Sequence, residues 1–171
     1  TLTNNKYRGV RDDQPVSASN PRSYQSSGKA LGNDNGHIIR WAEAGGDHAA
    51  TSFEWDIYLF GAPSELSAEN LSQLNDNNDF SSPDGLYFDP RGVLWIQTDD
   101  GAYTDTSSCM LLAALPGKVS DGSMTTTSAG QSTRVGTSAS NDNIKRFFVG
   151  PEGCEVTGIT MAPDFKTLFI N

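Results

Sequence analysis

The stretch Ser82-Pro83-Asp84-Gly85-Leu86-Tyr87-Phe88-Asp89-Pro90-Arg91-Gly92-Val93-Leu94-Trp95-Ile96-Gln97-Thr98-Asp99 constrains this chain more than any other. Asp89, Pro90 and Gly92 supply the backbone angles of a tight turn. The apolar runs on either side, 86–88 and 93–97, are too short and too rich in aromatic and β-branched residues for helix. The reading is a β-hairpin entered through a Pro-Asp-Gly turn. A second copy occupies 158–171, with Gly158 aligned to Gly85 and Pro163 to Pro90, each 73 positions on, and a turn one residue longer. A carboxylate precedes each copy, Asp84 in the first and Glu155 in the second. A strand-turn-strand unit repeated at long period, with strands between, predicts an all-β fold of the β-propeller kind. First strands of successive blades line a central channel, so Asp84 and Glu155 are expected to converge, within roughly 10 Å if they serve one metal cluster.

Composition narrows the function. The 171 residues carry a formal charge of −9 with a pI near 4.5, and no basic stripe is present, which argues against nucleic acid and anionic membranes. No run is long enough for a transmembrane helix. Gly, Ser, Thr, Asn and Asp are plentiful, which favours short strands joined by polar loops.

In chain order, 1–5 reads as the end of a strand, like 94–99 and 168–171, and 6–35 as a long polar surface loop. Residues 36–41 and 51–60 read as strands, the latter an outer one. Ala68 to Leu74 reads as a short helix capped by Ser67, with Leu71 and Leu74 buried. Residues 109–114 read as a strand, 120–143 as an exposed, mobile Ser/Thr/Gly loop, and 144–149 as an outer strand. The whole of 1–171 is then part of one propeller domain, about two blades. Two blades cannot close a ring, and 168–170 would leave an open edge. The expectation is a piece of a larger protein, or one chain of a nicked one.

His37-Ile38-Ile39-Arg40-Trp41, Phe53-Glu54-Trp55-Asp56, the 82–99 hairpin and Gly150-Pro151-Glu152-Gly153-Cys154-Glu155-Val156-Thr157-Gly158 stand in an order that resembles the PhoX-type alkaline phosphatases. The opening Thr-Leu-Thr-Asn-Asn is similar to that family too. The resemblance implies a six-bladed propeller, a periplasmic or secreted location, and hydrolysis of phosphate monoesters using calcium and iron. It implies that this chain is the C-terminal part, inactive alone, with the iron-ligating cysteine and the phosphate-contacting basic residues on blades upstream of Thr1. The chain departs from the family at 32–35 and 120–143, loops expected to bear on substrate access more than on fold.

Each candidate residue has two readings. Asp84 either shapes a turn or ligates a metal; with the resemblance, ligation is favoured. The Pro-Asp-Gly arrangement also resembles gluconolactonase-type propellers, in which that aspartate binds a divalent metal, so a calcium-dependent lactonase is a rival function. A non-catalytic propeller module is another. Glu155, between Cys154 and Val156, would be costly to bury unpaired, which favours ligation there too. Asp89 and Asp164 are read as turn residues, Asp76 and Asp79 as solvated, His37 as a hydrogen-bonded core histidine. His48 has no evident partner. Asn4 or Asn5 offers a carbonyl oxygen at the level of Thr98 and Asp99. Cys109 and Cys154 are compatible with a disulfide.

Overall fold

The computed structural model describes residues 1–26, 28–66, 68–99 and 108–171. Among them twelve strands alternate with turns: β1 (Tyr24–Ser26), β2 (Lys29–Gly32), β3 (His37–Glu43), β4 (Phe53–Phe60), β5 (Pro83–Phe88), β6 (Leu94–Thr98), β7 (Met110–Ala114), β8 (Ser123–Thr126), β9 (Ser132–Val135), β10 (Ile144–Val149), β11 (Ile159–Met161) and β12 (Leu168–Ile170). Among the described residues the helical content is one 3-10 turn, Ala44–Gly46. The fold is all-β, with several sheets and none closed.

The hairpin β5–β6 grows into a four-stranded antiparallel sheet in the order β5-β6-β7-β10. Its turn is held by Asp89, whose Oδ1 accepts the Arg91 N–H at 2.8 Å and the Val93 N–H at 3.1 Å. The other oxygen accepts the Arg91 guanidinium and Trp95 Nε1. β6 is buried along its whole length because both of its faces are covered. On one side Leu94, Ile96, Met110 and Leu112 pack with Ile38, Tyr58 and Leu59 of β3–β4. On the other, Trp95 and Leu111 pack with Val156 and the β11–β12 hairpin. Three layers are stacked face to face, and each buried aliphatic side chain contributes about 1.5–3 kcal/mol.

The first layer is assembled differently. β3 and β4 are antiparallel neighbours, but the sheet is completed by β9 and β8, in the order β3-β4-β9-β8. β9 runs parallel to β4 through Ile57 and Val135. The connection from β7 to β10 therefore leaves its own sheet and builds the rim of the neighbouring one. Arg40 anchors it, bonding both Asp56 oxygens at 2.8 Å, Asp121 at 2.5 Å and the Pro116 carbonyl. Asp121 in turn accepts the N–H groups of Lys118 and Thr137.

Several expectations need correction here. Residues 120–143 carry two strands and bear directly on the fold. Thr127 and Thr133, read as low-complexity filler, are buried and donate to the carbonyls of Pro21 and Ala18. Residues 6–35 include β1 and β2 and cover the far face of β3–β4. There Arg22, fully enclosed, stacks over Phe60 and donates to Asn33 Oδ1 and to the carbonyls of Gly36, Gly61 and Glu69. β4 is an interior strand, between β3 and β9. Residues 1–5 form isolated bridges at Leu2 with His37 and at Asn5 with Asn33 rather than a strand. The 68–74 stretch is turns: Asn70 bonds the Ser64 and Leu74 carbonyls and takes the Leu74 N–H, a side-chain alternative to helix. Its expected cap, Ser67, lies outside the described residues. Asp79 is buried and ion-paired with Arg146 rather than solvated.

Candidate metal centre

The site forms where the three layers meet at one end of β5 and β6. Pro83 opposes Thr98 in the ladder, and one step further the Asp99 N–H bonds the Ser82 carbonyl at 3.0 Å. Ser82 takes φ of +49°, a sparsely populated value for a side-chain-bearing residue, and its N–H is held by the Asn35 carbonyl at 2.9 Å. The backbone thus brings Asp84 and Asp99 to the same end of the hairpin. From the first layer, Thr1 Oγ1 donates to the Asp84 carbonyl at 3.0 Å and Thr3 Oγ1 to Asp84 Oδ1 at 3.3 Å.

Glu155 arrives from the third layer. The Gly150 N–H bonds the Cys109 carbonyl, Val156 is buried against the Trp95 cluster, and Thr157 pairs with Asn171. Between these anchors the Glu155 side chain is exposed, contrary to the expectation that burial would penalise it. One carboxylate oxygen from each of Asp84, Asp99 and Glu155 lies within 4.8 Å of the others.

Three negative groups so close repel one another, and a cation among them relieves that repulsion. No lysine, arginine or histidine among the described residues forms an ion pair with any of them. The donor set is hard oxygen, and oxygens on opposite sides of a calcium-sized ion stand about 5 Å apart. All three carboxylates can therefore touch one such cation, and they fit it by charge and by span. The cluster includes no cysteine or histidine.

The remaining candidates fall elsewhere. Asp89 and Asp164 serve turns, the latter accepting the Lys166 N–H at 3.1 Å. Asp76 accepts the Ser64 hydroxyl. His37 is buried, with Nδ1 bonded to Asn33 Nδ2 at 2.9 Å and Nε2 to the Ser19 carbonyl at 2.8 Å. Burial, reinforced by the nearby Arg22 charge, pushes its pKa down to about 3, so it is neutral. His48 is exposed, 3.9 Å from Glu43. The Asn5 carbonyl is committed to Asn33. Cys109 and Cys154 pack in one cluster and are not disulfide-linked. Asp99 is the carboxylate the motif reading missed as a ligand. Counting outward along the hairpin ladder from Leu86 opposite Ile96 puts Thr98, not Asp99, opposite Asp84, and the register shift between Pro83 and Leu86 alters even that pairing.

The family model described as alkaline phosphatase PhoX matches residues 1–171. A comparison with curated protein sequences gives no match. Among solved structures, Pseudomonas fluorescens PhoX in complex with vanadate, a transition state analogue, is similar at 36% identity and a TM-score of 0.71. The match covers 98% of this chain and 25% of that one, so the chain spans about a quarter of the length of its solved relative. Among the described residues, no helix is long and apolar enough to cross a membrane.

Proposed function

The chain belongs to the PhoX alkaline phosphatase family, and on that premise we propose that it contributes a carboxylate-walled cation site to a metal-dependent phosphate-monoester hydrolase. The observation that carries this reading is the convergence of Asp84, Asp99 and Glu155 from separate segments with no basic partner among the described residues. Hard cations, calcium and iron in this proposal, would neutralise the phosphate and the charge that develops on its oxygens during transfer. The relative's complex with vanadate, a transition state analogue, is in keeping with phosphoryl transfer as the reaction.

The chain's own residues hold and orient. Asp84 is held by the Thr3 hydroxyl at its carboxylate and the Thr1 hydroxyl at its backbone carbonyl, Asp99 by the ladder to Ser82, Glu155 by Val156 beneath it. The positive groups that bind phosphate, and the cysteine for iron, come from further blades of a six-bladed propeller, located in the periplasm or secreted. The two four-stranded sheets are two of its blades, and the chain by itself is inactive.

The test uses a polypeptide that carries this chain together with the remaining blades. Asp84→Asn keeps the turn, because an amide serves it as well, but removes one charge from the cluster. Hydrolysis of p-nitrophenyl phosphate falls on the order of 100-fold, with a melting temperature unchanged apart from metal-linked loss. Glu155→Gln behaves alike, and Asp164→Asn stays near wild type. Full activity of Asp84→Asn at limiting calcium would assign the aspartate to the turn alone. Hydrolysis of a lactone instead of the phosphate ester would make the protein a lactonase.

A further inference from the structure

The connection from β4 to β5 includes a surface strap, 64–71. Its described residues are exposed or half-buried with one exception, Glu69, which is 5% exposed. The strap is thus fastened by a carboxyl, a group seldom buried without a partner. Glu69 Oε2 is sealed from solvent and has no hydrogen-bond partner. Among the described residues, Glu69 forms no ion pair.

Arg22 stands nearby and has nothing left to give it. A guanidinium has five N–H groups, and all of them are engaged. Nε and one Nη2 hydrogen go to Asn33 Oδ1, and the other Nη2 hydrogen goes to the Gly36 carbonyl. The Nη1 pair goes to the carbonyls of Gly61 and of Glu69 itself. Arg22 therefore holds the backbone of the strap and not its acid. The other groups that face Glu69 are Tyr24 and Asp34. Burial keeps the Tyr24 hydroxyl protonated, and it accepts Asn35 Nδ2 at 2.5 Å. Asp34 is influenced in turn by Lys29 and Lys6. Neutral Glu69 suits this enclosure, whereas ionised Glu69 is a buried charge short of donors. Burial raises its pKa to about 7, opposed by the Arg22 charge and reinforced by Asp34.

We propose that Glu69 is a proton-controlled plug: the strap 64–71 stays closed while the carboxyl keeps its proton and opens when the carboxyl leaves to ionise in water. The opening is local, because the strap can move with its own bonds intact while its far end stays tied. The N–H groups of Glu69 and Asn70 both bond the Leu66 carbonyl, within the strap. Ser72, just beyond it, accepts the Phe60 N–H on its hydroxyl at 2.8 Å and the Ala139 N–H on its carbonyl at 2.7 Å. The carboxyl is a weaker acid in the closed strap than in the open one. Its contribution to closure is therefore complete below about pH 4.5 and is lost as the pH rises to about 7. The plug acts apart from the carboxylates at Asp84, so its test needs no metal.

The experiment is amide exchange read by mass spectrometry on a polypeptide that carries this chain with the remaining blades, corrected for the intrinsic pH dependence of exchange. In the wild type, protection of peptides spanning 64–71 falls about tenfold per pH unit up to about pH 7 and is level beyond it, while peptides of β4 and β6 keep theirs. Glu69→Gln, which cannot ionise, holds one level of protection throughout. Wild-type protection that ignores pH overturns the inference, as does a pH response that survives in Glu69→Gln. A fall shared equally by β4 and β6 overturns it too, since that is unfolding of the whole layer. Should Glu69→Gln fail to fold, the wild-type profile decides alone.

Discussion

The sheet β5-β6-β7-β10 and the sheet β3-β4-β9-β8 have the same number of strands and opposite construction. The first is an antiparallel meander made from neighbouring stretches of chain and cemented by Leu94, Ile96, Met110, Leu111, Leu112 and Ile144. The second takes half its strands from a connection that belongs to the first, through a single parallel pairing. Its far face is closed by residues 1–35 around polar and charged groups: Arg22, Asn33, His37 and Glu69, all buried. The local sheet is stabilised by apolar area. The assembled one depends on hydrogen bonds that leave costly orphans if one partner goes. Interlocking also means that neither sheet can open alone without exposing the face it shares with the other.

The largest expected effect tests that interlock. Replacing 120–138 with a short Gly/Ser linker would be nearly neutral if the segment were a loop, since loop length changes stability slowly. Here it removes Val135, the Thr127 and Thr133 anchors and the Asp121 clamp on Arg40. The expected outcome is loss of the cooperative melt of both sheets, followed by circular dichroism and amide exchange. Retention of a sharp transition would make the hairpin β8–β9 an accessory.

Next in size is Arg22→Met. It strands the carbonyls of Gly36, Gly61 and Glu69 and Asn33 Oδ1 inside the first layer, at about 3–5 kcal/mol. Leu112→Ala, the control in the local sheet, costs about 2–5 kcal/mol through its cavity. Urea titration distinguishes the two by amide-exchange pattern, with Arg22→Met loosening 1–35 and β8–β9 first. Equal loosening of both sheets would erase the contrast drawn between them.

The smallest effect is one of pH, and it arises in the assembled sheet. His37, held near 3, refuses a proton that the unfolded chain takes up near 6.5. Its contribution is complete above about pH 6.5 and is lost as the pH falls toward 3. Burial, partly offset by the Arg22 charge, pushes the Glu69 carboxyl up to about 7. The folded state keeps the Glu69 proton where the unfolded chain releases it, so stability declines from about pH 4.5 to about 7. Thermal melts in chelator should therefore lose stability on both sides of mildly acidic pH. Glu69→Gln should remove the decline on the upper side and spare the acid one. An unchanged upper arm in that variant would place its origin outside the Arg22 cluster.

Residue pattern alone determined the parts of this protein whose cause is local. The hairpin β5–β6 follows from Asp89, Pro90 and Gly92 between apolar runs, and β7 from its continuous apolar stretch. The repeat of that hairpin at 158–171 put Asp84 and Glu155 at corresponding ends of adjacent layers before any coordinates, and motif order carried the family. Tertiary structure decided the rest. β8 and β9 are rich in Ser and Thr, and an edge strand recruited through its backbone needs no apolar alternation to betray it. Arg22 and Asp79 look like solvent residues until the acceptors or the cation that hold them inside are known. The place of Asp99 depends on register across β5 and β6, where an irregularity between Pro83 and Leu86 shifts which residues face each other. Side-chain pattern reports which faces bury apolar surface; it does not report which distant backbone a polar residue will meet. For that reason two of the carboxylates could be proposed from the chain, whereas the third became visible only when the layers were stacked.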